Sequence, residues 1–456
     1  MTSALRSFLP AIVVAQFFTG TAFAQTPDPA APPAADVAVL RDEVARLRDE
    51  VAALRAALTE IRGAAGMPSA APQTAPTQTP AVTREAFDML RAQVAEQAQT
   101  KVESSSRLPV KLSGTILVNA FVNSADVNWL ENPNLVTQSP LGADPTGSMS
   151  VTARQSRLGI EASGIMMGSW QASGTLITDF LGGVPNFQTG TVMGLPRLLY
   201  AFGRIDNGRT AIQAGQDHAL LAPRDPTSLA ALSFPLFFRS GNLYLRVPQA
   251  RIEQRAGDQW TFAGGIVAPI AGDHGGQFEF APAAGIGERS RRPAYEGRAE
   301  FHAGESGADR RLIAGLATQY GWRESSSDLT SSWALAVDVD AQAGRFGVAG
   351  ELFIADRAGA FGAALSQVAR TTGGWAEGRF LITSRARVAA GFGMDRPDMT
   401  RSKPALTENR STFGNLIFDL TPEVSFSVEH RWLRTSYTML PVRSTQHVNG
   451  TLAIRF

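Results

Sequence analysis

The chain ends in Thr445-Gln-His-Val-Asn-Gly-Thr-Leu-Ala-Ile-Arg-Phe456, in which Val448, Leu452, Ile454 and Phe456 share one parity. An apolar row of period two, about ten residues long and closed by an aromatic ring, is the pattern of a strand with lipid on one face and water on the other. The segment therefore reads as one stave of an outer-membrane β-barrel, a fold that constrains everything upstream of it.

The N-terminus fits an exported chain. Arg6, the apolar stretch Phe8 to Phe18 and the small-x-small step Ala22-Phe23-Ala24 before Gln25 predict a removed signal peptide over residues 1–24. Its apolar core is too short for a spanning helix, which needs roughly 20 residues. No later stretch is apolar enough to span as a helix, and with no cysteine the chain has neither disulfides nor thiolate ligands. A 44% apolar composition with 43 glycines and a net charge of +1 would be too polar for a helical membrane protein. It suits a barrel, since half of each strand faces a polar lumen.

Ahead of the barrel lies a heptad pattern over residues 36–62. Val37, Val44, Val51 and Leu58 occupy a, with Leu40, Leu47, Leu54 and Ile61 at d. Glu43 and Glu50 fall at g, and Arg48 and Arg55 at e. Such g-to-e′ pairs form between parallel helices in register, so an α-helical coiled coil of identical chains in the periplasm is expected. A single amphipathic helix packed on the barrel is the alternative. Residues 63–82, with Gly63, Gly66 and the Pro68 to Pro80 stretch, read as a linker, and 83–104 as a short second helix.

From residue 108 to 456 the period becomes two. Strands are expected near 109–123, 149–162, 168–180, 196–205, 209–217, 243–255, 259–270, 292–303, 310–323, 331–341, 345–355, 374–383, 386–395, 409–420, 423–436 and 446–456. Sixteen antiparallel strands place the short turns (164–167, 206–208, 256–258, 304–309, 342–344, 384–385 and 421–422) at one end and the long loops at the other, as in an all-β transmembrane barrel. Tryptophan agrees: Trp170 and Trp260 fall at the turn end, Trp322, Trp333, Trp375 and Trp432 at the loop end, and Trp129 in a loop.

Parity assigns the lumen. In Arg292 to Ala303 the inward set is Ala294, Glu296, Arg298, Glu300 and His302, against Tyr295, Ala299 and Phe301 outside. Arg157 and Glu161 point inward opposite Leu158 and Ile160, and Arg246 opposite Leu243, Leu245 and Val247. A bulge at Pro248 then turns Arg251, Glu253 and Arg255 inward. Glu377, Arg379, Arg385, Arg387, Glu429 and Arg431 extend the charged lining.

A barrel of this width needs a constriction. The candidate is the 218–242 connection, with Pro223, Pro226 and Pro235, the apolar Leu232, Phe234, Leu236, Phe237 and Phe238, and the charged Arg224, Asp225 and Arg239. Two placements fit its composition: folded into the lumen or clasping a neighbouring subunit. Folded inward, Arg224 and Arg239 would join Arg157, Arg246, Arg298, Arg379 and Arg431 in a lining that prefers carboxylates or phosphates. Inward Glu161, Glu253, Glu296, Glu300, Glu377 and Glu429 would instead neutralise those arginines in ladders of low net field.

The order of signal peptide, coiled coil and linker, followed by Val110-Lys-Leu-Ser-Gly-Thr-Ile and Ala153-Arg-Gln-Ser-Arg-Leu-Gly-Ile-Glu161, resembles the DcaP-type trimeric outer-membrane porins. The Ser-Arg-Leu-Gly step is similar to general porins as well, and Phe456 resembles the tag read by bacterial barrel-insertion machinery. The resemblance implies a homotrimer in outer-membrane lipid that passes small anionic solutes, dicarboxylates among them. Phosphate is a second anion to consider. Val at a with Leu at d departs from it, since that choice favours two-stranded coils.

Other classes find little support. His218, His274, His302, His430 and His447 lack metal-ligand spacing, and no nucleophile elbow, P-loop or dinucleotide fingerprint occurs, so neither an enzyme nor a cofactor is expected. His302 beside Glu300 lacks a nucleophile and reads as lining. A net charge of +1 gives no face for nucleic acid. A structural alternative is an envelope tether, in which the barrel anchors a coiled coil reaching toward the cell wall.

Overall fold

The computed structural model describes residues 110–137, 146–182, 194–269, 284–304, 310–325, 328–357, 370–398, 406–438 and 440–456. The expected signal peptide, coiled coil, linker and second helix lie outside the described residues.

Strands follow where period-two alternation predicts them: β1 (Val110–Asn123), β2 (Ser148–Thr152), β3 (Arg157–Met167), β4 (Trp170–Asp179), β5 (Arg197–Asp206), β6 (Thr210–His218), β7 (Arg246–Ala256) and β8 (Trp260–Val267). After the single short helix of the described residues, α1 (Ile286–Arg289), come β9 (Ala294–Ala303), β10 (Arg310–Ser325), β11 (Asp328–Ala343), β12 (Phe346–Asp356) and β13 (Arg370–Leu381). The barrel finishes with β14 (Ala386–Pro397), β15 (Leu406–Asp419), β16 (Val424–Tyr437) and β17 (Arg443–Arg455). Pairing is antiparallel throughout, and β17 closes on β1 from Thr115↔Arg455 to Asn123↔His447.

Seventeen strands make sixteen staves, because β2 and β3 both pair β1 end to end. The expected continuous strand 149–162 is broken at residues 153–156, where Ser156 N–H returns to Ala153 O at 3.0 Å. Ser156 Oγ then accepts the Leu117 N–H at 3.0 Å in place of a ladder bond. The turn after β3 also differs from expectation. Gly164, at φ 81°, lies in a bulge between Ala162 and Ile165, and the strand runs on to Met167, so the turn falls at Gly168-Ser169.

The surface is inverted relative to a soluble protein. On β16, Ser425, Ser427, Glu429 and Arg431 are buried while Phe426 and Val428 are exposed; on β17, His447, Asn449 and Thr451 are buried while Leu452 and Ile454 are exposed. Leu112, Leu352 and Phe346 are 65%, 65% and 66% exposed, a degree of contiguous apolar exposure that only hydrocarbon tolerates. Aromatic clusters mark both rims: Trp260 with Phe262 and Phe301 near the turn end, and Trp322 with Tyr295 and Tyr320 near the loop end.

Three expectations need correction. Trp375 is 3% exposed, with its ring centroid 6.0 Å from that of Phe237, so it faces the lumen contents rather than lipid. Pro248 causes no bulge: β6–β7 pairing runs uninterrupted through Gln216↔Pro248, and odd residues from Val247 onward share the inward parity. Leu243 and Val247 are consequently buried rather than lipid-facing. Leu243 belongs to the segment preceding β7 and packs with Ala219, Leu221, Ala317 and Phe353.

Candidate constriction site

The segment between β6 and β7, residues 219–245, folds into the lumen. Its apolar side chains explain why: Leu220, Leu221, Leu229, Leu236, Phe237 and Phe238 are all buried, so the inward path removes them from water. The cost falls on the segment's backbone polar groups, and the wall, with the β1–β2 connection, meets it residue by residue. Glu296 receives the Leu220 N–H at 2.8 Å, Glu351 the Leu243 N–H at 3.1 Å, and Glu377 the Thr227 N–H at 2.8 Å. Asn415 donates to Thr227 O at 2.7 Å, Asn409 to Arg239 O at 2.6 Å, and Asn132 to Phe234 O at 2.8 Å. Gln155 donates to Ala230 O at 2.7 Å and receives the Ser233 N–H at 3.1 Å, which explains the break between β2 and β3: the freed residue reaches inward.

On one side the segment touches the wall backbone directly. A Cβ on Gly393 would lie 2.2 Å from Ser240 O, and one on Gly241, at φ 119°, would lie 2.1 Å from Gly374 O. Glycine is required at both places, by close approach at Gly393 and by conformation as well at Gly241. Arg239 itself adopts φ 64°, within the reversal closed by Ser240 N–H to Phe237 O at 2.8 Å. Burial lowers the pKa of Arg239 and raises that of Tyr244.

The seven arginines predicted to line the pore divide into two sets. Arg224 and Arg298 form a quartet with Glu300 and Asp338: Arg224 Nη2 is 2.8 Å from Glu300 and its Nε 3.1 Å from Asp338, while Arg298 Nη1 is 2.6 Å from Asp338. His302 Nε2 lies 3.1 Å from the same Glu300, which places it in this network. Arg379 pairs with Asp340 at 2.5 Å and approaches Glu377 at 3.7 Å. These three are neutralised.

Arg157, Arg239, Arg246 and Arg431 make no ion pair among the described residues. Arg431 is 1% exposed and donates to Asn132 Oδ1 at 2.7 Å and Leu236 O at 2.5 Å, so it fastens the segment and is not open to solute. Arg239 lies 5.1 Å over the Phe238 ring. The partly exposed Arg157 donates to Leu232 O, and Arg246 to Tyr200 Oη at 3.1 Å and Ser233 O at 3.3 Å. The Arg246 guanidinium also lies 4.8 Å over the ring of Tyr200 and 4.7 Å over that of Tyr244. Arg157 and Arg246 lie within each other's electrostatic reach, with exposed Asp225 as a nearby carboxylate. Nearby Arg197 is bound to Asp179 at 2.6 Å.

Sequence parity missed Asn119, Gln155, Glu351, Asn409 and Asn415. Asn119, Glu351, Asn409 and Asn415 occupy inward positions of their strands, so polarity at that parity was the available signal. Gln155 gave none, because it sits in a break that alternation does not announce.

The closed barrel, inverted surface and inward segment define the architecture of an outer-membrane porin. No protein-family model and no curated protein sequence matches the chain. Among solved structures it is similar to the outer membrane channel DcaP of Acinetobacter baumannii, with 15% identity and a TM-score of 0.60, covering 77% of this chain and 99% of that one. It is also similar to OprB of Pseudomonas putida at high pH (10% identity, TM-score 0.52, 79% and 97% covered) and to an anion-selective porin from Comamonas acidovorans (11%, 0.51, 77% and 100%). The sixteen-stave barrel expected from the DcaP-type resemblance is therefore observed, while the expected coiled coil lies outside the described residues.

Proposed function

We propose that the protein is an outer-membrane porin for passive diffusion of small hydrophilic anions, dicarboxylate-like solutes among them. The observation that carries this reading is Arg157 and Arg246. Both stand beside the inward segment without an ion pair among the described residues, while Arg224, Arg298 and Arg379 are neutralised. A guanidinium without a carboxylate partner offers donors to a passing oxyanion and raises the local anion concentration. Asp225 moderates that field, favouring transit over tight retention, since conduction requires that a solute also leave. Assembly as a homotrimer, through a parallel coiled coil over residues 36–62 on the periplasmic side, completes the reading.

The test is reversal potential in planar bilayers under a salt gradient. The wild type is expected to prefer chloride, and Arg157→Ala/Arg246→Ala to lose most of that preference while Arg239→Ala retains it. Cation preference in the wild type would sink the anion assignment. Folded protein that never opens would favour the envelope tether.

A further inference from the structure

A second concentration of positive charge lies beyond the inward segment, at the short-turn end of the lumen. The two halves of the barrel differ there. Between β5 and β7, Arg204, Arg251 and Arg255 are matched by Asp206, Asp217 and Glu253, with contacts of 2.7 to 3.1 Å. Three inward cations meet three anions there, while the exposed turn residue Arg209 makes no ion pair among the described residues. Between β10 and β17 the balance fails. Arg311 and Arg379 share Asp340, and Arg387 takes Asp419 at 2.5 Å, whereas Arg345, Arg385 and Arg455 make no ion pair among the described residues.

Three of these arginines line one concavity. Arg385, Arg387 and Arg455, with Ser384, Asp419, Thr421 and Pro422, enclose about 410 Å³. Arg387, Asp419 and Arg455 share the parity of buried Ala389, Ile417 and Ala453, so the hollow opens on the lumen side of the wall and not on lipid. Its other polar groups are spoken for. Asp419 receives Arg387 and the Ser425 hydroxyl at 2.6 Å, Arg455 donates to Ser425 Oγ at 2.9 Å, and Glu423 is turned to Thr421 Oγ1 at 2.9 Å. The Phe456 carboxyl end takes the Gly114 N–H at 2.9 Å. The exposed Arg385 side chain has no hydrogen-bond partner among the described residues.

We propose that this hollow is a binding station for a small, multiply charged oxyanion of the phosphate class, held by Arg385, Arg387 and Arg455. Its three arginines outnumber its one lining carboxylate, and guanidinium forks match the geometry of a tetrahedral oxyanion. Arg455 and Arg157 flank Thr115 of β1 from the two neighbouring strands, so an anion released from the constriction passes directly to this cationic surface before leaving by the short-turn end. The station rests on the channel reading only for how the anion arrives.

Occupancy is read directly by soaking phosphate-free crystals of the full-length protein in sodium tungstate and measuring anomalous scattering. A peak bounded by Arg385, Arg387 and Arg455 is expected in the wild type and should vanish in Arg385→Ala, an exposed turn substitution that leaves the strand ladder intact. A wild-type hollow without a peak, or a peak that survives Arg385→Ala, overturns the proposal. Conduction plays no part in this readout, so a barrel that fails to open leaves the test intact.

Discussion

Glu377 on β13 receives both hydrogen-bond donors of Thr227, the backbone N–H at 2.8 Å and the hydroxyl at 2.8 Å. It is one of four wall glutamates that grip the inward segment. Glu296 holds Leu220, Glu351 holds Leu243, and Glu429 receives the Ser228 hydroxyl at 2.6 Å. Of the six inward glutamates that sequence reading assigned to neutralising arginines, Glu296, Glu377 and Glu429 are thus occupied by the segment, whereas Glu253 and Glu300 do pair with arginines.

Glu377→Ala is expected to loosen the constriction. Hydrogen bonds to a charged acceptor contribute about 1.5–3 kcal/mol each, and this substitution removes two. Single-channel recordings should show a noisier current of higher mean conductance, with the folded barrel retained on gels. A trace indistinguishable from wild type would mean that Glu377 does not position the segment.

Gly393→Ala should displace the segment from the neighbouring strand, β14. The added methyl would meet Ser240 O at 2.2 Å and the Phe237 ring at 2.8 Å, and overpacking of this kind costs about 1–3 kcal/mol. Gly450→Ala is the control, since nothing lies within 4 Å of its Cβ position. Denaturant midpoints in detergent are expected to fall for Gly393→Ala and to stay near wild type for Gly450→Ala.

Arg431→Ala is expected to act on stability before selectivity. It leaves the buried Leu236 O and Asn132 Oδ1 without their donor, at about 1–3 kcal/mol for each orphaned acceptor. Thermal unfolding in detergent measures it. A normal melting temperature with a shifted reversal potential would instead make Arg431 a pore residue.

Gly114→Val should displace the Phe456 ring from the seam of the barrel. A Cβ at Gly114 would lie 2.3 Å from the Phe456 ring, which covers that position where β1 meets the end of β17. The heat-modifiable, folded fraction recovered after refolding is expected to drop relative to Ser113→Ala.

The sixteen staves were legible because alternation is a local property. Each strand declares its two faces within about ten residues, as Val448 to Phe456 do, and the short turns after β5, β7 and β11 announce themselves through Gly208, Gly257 and Gly344. The same parity located Arg298, Arg379 and Arg431 on the lumen side. It failed at Val247 and Trp375, where an apolar residue faces inward because the segment supplies apolar partners there.

What the sequence determined by itself is therefore the barrel, its lipid face and the polarity of its lining. What only the tertiary structure decided is which of two open placements the 219–245 segment takes, and which arginines keep an available charge. Those depend on partners far apart in the chain: Thr227 on Glu377, Ala230 on Gln155, Leu236 on Arg431. Side chains of one parity share a wall whatever the loops do, but a charge in the lumen is neutralised or left available according to what crosses the barrel to meet it.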